Sequence, residues 1–194
     1  MITKRRRARV LLVVTFLIFL LPVLGAWLLN VFAPGWRPFG TLNHGTLVQP
    51  VRALSASGLR HLDGTAFDPA YLRGRWTLVH LPDAACGASC MDSLLRSYQI
   101  QRALGDDEDR VRLLLVLKRP GHAPAAALPD GTDVTLADDA WLAALPLTGA
   151  DHPSPMGIYL VDPQGYLMMR YAADVDQRGL LDDLKRLLKI SKIG

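Results

Sequence analysis

No acidic residue precedes Asp63 in this chain of 194 residues, and no charged residue of either sign lies between Val10 and Phe32. The missing acids leave Lys4, Arg5, Arg6, Arg7 and Arg9 unopposed, which accounts for the formal charge of +4. Setting those five aside leaves 17 of the 22 bases facing 18 acids, so the chain beyond residue 9 carries −1. Such a remainder has no basic stripe to track a phosphate backbone, which excludes nucleic acid as a partner. Cysteine is scarce as well. Cys86 and Cys90 are the only two, too few for a metal site built of cysteine alone. No internal period suggests a repeat array.

What is present begins with the uncharged stretch itself. Residues 10–32 are interrupted only by Thr15, Pro22, Gly25 and Asn30, and about 20 apolar residues suffice to cross a hydrocarbon core as a helix. A cleaved signal peptide shares the basic start and apolar core, but Leu24-Gly25-Ala26 is a poor cleavage site, so a retained anchor is expected. The basic flank, residues 1–9, stays cytoplasmic by the positive-inside bias. The expected order is then an anchor over 10–32, a turn-rich tether over 33–45, and one folded domain over 46–194 on the far side. A bare basic anchor before such a domain suits a single-pass protein of a bacterial inner membrane, with the domain periplasmic.

Within the domain, Leu54 to Leu62 gives a weak strand pattern, followed by a turn at Asp63-Gly64. Trp76 to Leu81 is a β-prone run between Gly74 and Pro82-Asp83. From Ser89 to Leu104, Met91, Leu94, Leu95, Tyr98 and Leu104 recur at helical spacing, and Gly105 supplies the stop. Asp106-Asp107-Glu108-Asp109 reads as a solvated turn, and Val111 to Leu117 as a strand buried on both faces. Residues 118–155 give no long element, with a short helix expected within Ala137 to Leu145. Met156 to Val161 and Tyr166 to Tyr171 flank Asp162-Pro163-Gln164-Gly165 as an antiparallel hairpin. Leu180, Leu181, Leu184, Leu187 and Leu188 then mark an amphipathic helix. The order strand, helix, strand, crossover, hairpin, helix predicts an α/β, thioredoxin-like fold with a mixed sheet and helices on both faces.

The cysteines stand where the first predicted strand of that order gives way to its helix. A helix N-terminus presents unpaired N–H groups and partial positive charge, which favours a thiolate, and a thiolate is both nucleophile and metal ligand. Four residues apart, the sulfurs can bridge one ion or each other. A plain disulfide staple is the structural alternative, although so short a loop stabilises little. Among the five histidines, His44, His61 and His122 read as solvated or structural, and His80 as a satisfied core or edge residue. His152, in Asp151-His152-Pro153-Ser154-Pro155 before the hairpin, belongs to a loop that lies over the N-terminus of the first helix in a thioredoxin-like fold. Met91, Met156, Met168 and Met169 are expected to fill core space.

These features resemble the Sco/SenC copper-delivery proteins that assist assembly of cytochrome c oxidase. The resemblance rests on the anchor, on the strand followed by Cys86-x3-Cys90, and on Asp151-His152 shortly before Ile158-Tyr159-Leu160-Val161-Asp162-Pro163-Gln164-Gly165. It implies copper, as Cu(I) or Cu(II), held by Cys86, Cys90 and His152, and delivered to subunit II of the oxidase. Soft thiolates select Cu(I), and an added imidazole lets the same site hold Cu(II). Asp151 would orient His152. Pro155 stands where thioredoxin-like oxidoreductases often carry a cis-proline beside their thiols.

Met91 replaces the proline that commonly follows the second cysteine, and Lys118-Arg119-Pro120 replaces the usual Asp-Pro segment, so the sequence reads as a divergent branch. Two further functions fit the same residues. One is a thiol-disulfide oxidoreductase with Cys86 as the more exposed, attacking thiol and Cys90 as the resolving one. The other is an assembly factor that needs neither cysteine.

Overall fold

A computed structural model describes residues 2–32, 43–145, 157–172 and 174–191. The chain divides into two compact units, Met1–Leu42 and Asn43–Gly194. The first holds one helix, α1 (Ile2–Phe32), with Pro22 inside it. Its segment Arg6–Phe32 is long and apolar enough to cross a membrane by length and composition. The helix also takes in described residues of the basic flank, because arginine is a good helix former.

The second unit is built on a seven-stranded sheet. Its strands are β1 (Thr46–Ala53), β2 (Leu59–Arg60), β3 (Trp76–Leu81), β4 (Val111–Leu117), β5 (Thr132–Ala137), β6 (Gly157–Val161) and β7 (Tyr166–Tyr171). They lie side by side in the order β1-β7-β6-β3-β4-β5-β2. β3 pairs in parallel with β4, and β4 in parallel with β5, while β6 runs antiparallel to both β3 and β7. Helix α2 (Ala88–Arg102) supplies the crossover from β3 to β4, α3 (Asp139–Ala144) follows β5, and α4 (Gln177–Ile190) follows β7.

Alternation along β3 assigns its side chains to two faces. Trp76 and Leu78 pack with Ile100 of α2 and with Leu180, Leu184 and Leu188 of α4. Val79 and Leu81 join the opposite core, which includes Trp141 of α3. The sheet therefore has helices on both faces, as the element order predicts. Every residue of β3 is buried, as expected of a strand covered on both sides.

Three predicted elements recur with small changes of boundary. The helix expected to reach Leu104 ends at Arg102 and gives way to a 3₁₀ turn, Gly105–Arg110, which takes in the acidic residues. The short helix within 137–145 is α3, capped by Asp138, whose carboxylate accepts from the Trp141 N–H at 2.7 Å. The hairpin is β6 and β7, while Met156 lies outside the described residues.

Two strands have no counterpart in the sequence reading. β1 is an edge strand with mostly exposed residues, and Pro50 breaks its alternation, which is tolerated at an edge. β5 continues the parallel ladder beyond β4, but it begins with half-buried Thr132 and exposed Asp133 and gives no apolar run.

Candidate functional site: a disulfide at the start of α2

After Leu81 the chain leaves the sheet through Pro82 and reaches Cys86, then Gly87 at the N-cap of α2, then Cys90 in the first helical turn. The cysteines are joined as a disulfide with their Cα atoms 5.1 Å apart. Gly87 offers no side-chain cap, and the first turn of α2 contains no acidic residue. Its N-terminal partial charge is therefore not offset by a neighbouring carboxylate within that turn, which favours a thiolate there once the bond opens.

The two sulfurs differ in access. Cys86 is 5% exposed and packs with Leu94, Leu115 and Leu117. Its N–H donates to the carbonyl of His122 at 2.8 Å, which fastens the turn after β4 over it. Cys90 is only partly buried and lines a cleft of about 380 Å³ together with Pro82, Asp83, Ser89, Arg96 and Asp174. This order is opposite to the expectation that Cys86 would be the more exposed, attacking thiol. The reason is packing: Cys86 precedes the N-cap and lies among Leu94, Leu115 and Leu117, whereas Cys90 lies in the first turn, beside the cleft.

Beneath the first turn lies His80. It shares the sheet face of Trp76 and Leu78 and stands between Leu115 of β4 and Ile158 of β6. The residue is 4% exposed, and its Nε2 has no hydrogen-bond partner among the described residues. Burial alone depresses its pKa to about 3, so the imidazole is neutral near pH 7. A cavity of about 30 Å³ is lined by His80, Leu81, Pro82, Cys90, Ser93 and Gly157. The sequence reading of His80 as a satisfied histidine is thus corrected: it belongs to the core but is not satisfied. The only sequence signal is a histidine inside an otherwise β-prone buried run next to the cysteines.

The remaining sequence candidates fall into three groups. His152, Asp151, Pro155 and Met156 lie outside the described residues. His44 stands against Gly179 of α4, His61 lies 5.0 Å from the Phe67 ring, and His122 serves the site through its carbonyl. Met91 packs around the disulfide, while Met168 and Met169 pack in the core beside α4. Among the described residues no group of three or more His, Cys, Asp or Glu side chains could hold a metal ion.

Residues 76–191, more than half of the chain, match the family described as transmembrane-like, thioredoxin-like, C-terminal domain. The chain belongs to this family. Solved Sco structures share the fold of this thioredoxin-like domain. Apo Sco1 from Thermus thermophilus aligns with a TM-score of 0.58 at 18% identity, over 78% of this chain and 100% of that one. Copper-bound yeast Sco1 gives 0.52 at 14% identity, over 69% and 90% respectively. BsSco, a member of the Sco family of cytochrome c oxidase assembly proteins in which a disulfide switch was identified, gives 0.50 at 16%, over 72% and 96%. At these identities the likeness is one of fold. Among curated proteins no sequence match is found.

Proposed function

We propose that the chain is a membrane-anchored, thioredoxin-like assembly factor that opens its Cys86–Cys90 disulfide and, in the reduced state, delivers copper to cytochrome c oxidase. The observation that carries this reading is the placement of the pair at the N-terminus of α2, with one sulfur beside a surface cleft. Opening takes up two electrons and yields sulfurs of which at least one is held near a positive helix terminus. Copper is the cargo, and two thiolates suit Cu(I). The imidazole of His152 is proposed as the third donor, oriented by Asp151, with Pro155 in the same loop. The receiving partner is proposed to be subunit II of the oxidase. The basic flank remains cytoplasmic, and the domain faces the periplasm of a bacterial inner membrane. Copper-bound yeast Sco1 and the oxidase-assembly family of BsSco, which share the fold, support the choice of cargo and pathway.

The test is a titration of the reduced full-length chain, in detergent micelles, with Cu(I) against a competing chelator. One equivalent is expected to bind, Cys86→Ala and Cys90→Ala should abolish binding, and His152→Ala should weaken it. Unchanged affinity in both Cys86→Ala and His152→Ala would overturn the copper reading.

A second reading is favoured by the unequal access of the sulfurs: exchange with a partner disulfide, with Cys90 as the sulfur a partner reaches and Cys86 as the buried resolving thiol. Exchange needs no histidine ligand, so His152→Ala would leave its rate unchanged.

A further inference from the structure

A buried polar atom without a partner costs free energy that a leucine of similar size would not, by about 1–3 kcal/mol. His80 Nε2 is such an atom, and it lies in the middle strand of the sheet, where β4 and β6 cover both edges of β3. Side-chain alternation directs it toward α2, and the cavity on that side is lined by Cys90. His80 and Cys90 line the same small cavity, which places the imidazole and the second cysteine at one pocket between β3 and the first turn of α2. In the disulfide form the Cys90 sulfur is neutral and bonded to Cys86, and it offers Nε2 little. Reduction changes that sulfur into the strongest acceptor available at the cavity.

We propose that His80 is the redox-dependent partner of Cys90: its Nε2–H donates to the Cys90 thiolate when the disulfide opens, and this contact biases the pair toward the reduced state. The inference rests on the reading that the disulfide opens reversibly. A neutral imidazole has one N–H to give, and a hydrogen bond to an anionic sulfur is about twice as strong as one between neutral groups. The step balances with a dithiol reductant. The Cys86–Cys90 S–S bond breaks and takes up two electrons, while the reductant closes its own S–S bond. Of the two protons the reductant gives up, one stays on Cys86 and one passes to solvent, leaving Cys90 as thiolate. His80 is a positioning residue here, since it stabilises one product of the step without forming or breaking a bond. The consequence is that an unsatisfied donor destabilises the oxidised form and is satisfied in the reduced one, so the pair is set to accept electrons.

The test is the equilibrium between disulfide and dithiol forms of the full-length chain in micelles, in dithiothreitol redox buffers at pH 7. His80→Phe, which fills the ring volume without a donor, is expected to shift the equilibrium constant at least tenfold toward the disulfide. His80→Gln, which keeps an N–H, is expected to recover part of that shift. A histidine that only fills the core would weaken oxidised and reduced forms alike and leave the constant unchanged, and that result overturns the inference. Nitrogen-15 spectra of the unmutated chain give a readout independent of any variant. The His80 Nε2–H signal should move on reduction, and an unmoved signal overturns the inference even if His80→Phe does not fold. A wild-type disulfide that dithiothreitol cannot open would overturn the underlying reading itself, an outcome distinct from a reducible pair that is indifferent to His80.

Discussion

Asp183 and His80 both lie buried between the sheet and the helices on one of its faces, and they are treated in opposite ways. Asp183 of α4 is 2% exposed, and its Oδ2 accepts from the His44 N–H at 2.8 Å, the Gly45 N–H at 3.0 Å and the Tyr171 hydroxyl at 3.1 Å. His80 of β3 is 4% exposed, and its Nε2 accepts from and donates to nothing among the described residues. The first arrangement is a clasp that ties the segment entering β1 to β7 and α4. It is close enough that a Cβ on Gly179 would lie 2.7 Å from the His44 ring. Three donors on Asp183 Oδ2 lock a single geometry even though its Oδ1 has no partner among the described residues, whereas no donor or acceptor at all holds His80 Nε2, which stands beside the disulfide. The difference separates a polar group that holds the fold from one that waits on the site.

The clasp gives the larger expected effect. Asp183→Ala leaves two backbone N–H groups and the Tyr171 hydroxyl without their acceptor, and should lower unfolding free energy by about 3 kcal/mol or more, read by urea denaturation. Asp183→Asn keeps one acceptor oxygen and should cost less. A loss below about 1 kcal/mol for the alanine variant would remove the contrast with His80. Tyr171 adds a sign of its own. Burial first, then the charge and hydrogen bond of Asp183, raise its pKa above the ordinary tyrosine value. Its contribution is therefore complete below about pH 10 and is lost as the pH rises beyond that.

His80 gives the opposite sign and the next largest effect. Its pKa falls from 6.5 to about 3 on folding, so the unfolded chain takes up a proton that the folded chain refuses. Stability from this group is complete above pH 6.5 and declines by about 1.4 kcal/mol per pH unit below it, until the pH reaches about 3. At pH 5 the expected loss is about 2 kcal/mol relative to pH 7. His80→Phe should lack this loss, which is measured as the difference between its acid profile and that of the wild type. Parallel profiles would mean that His80 is protonated in the folded chain and has found a partner.

The sequence discloses the elements that carry these two groups better than it discloses the groups' own partners, for physical reasons. β3, β4 and the β6–β7 hairpin are legible because strands buried on both faces must be continuous apolar runs, and Val111 to Leu117 is one. The start of α2 is legible through its helical spacing and the turn before it. β1 and β5 are not, since Pro50, Thr132 and Asp133 sit where one side of the strand meets solvent and no pattern is enforced. The cysteine pair is plain from spacing alone. Its inequality of access is not, because Cys86 is covered by the His122 turn and by Leu115 and Leu117 of β4, distant in sequence, as well as by Leu94 of α2. The same holds for His80, since whether a buried atom is satisfied depends on what three other segments bring to it. Asp183 is missed for the same reason: its partners His44 and Gly45 lie 139 and 138 residues away.

The smallest expected effect concerns the two sulfurs. If the site end of the molecule is built for exchange at Cys90, the single-cysteine variants must differ. In Cys86→Ala the remaining Cys90 thiol borders the cleft at the helix N-terminus, whereas in Cys90→Ala the remaining Cys86 thiol stays under the His122 turn. Iodoacetamide should alkylate Cys90 at least tenfold faster than Cys86, a ratio equal to about 1.4 kcal/mol. Guanidinium chloride at an unfolding concentration should erase the ratio, because the protection of Cys86 comes from packing and not from its neighbours in sequence. Equal rates in the folded chains would mean that the turn over Cys86 opens faster than alkylation. Cys86 would then regain its standing as an attacking thiol, and the asymmetry that favours Cys90 would be lost.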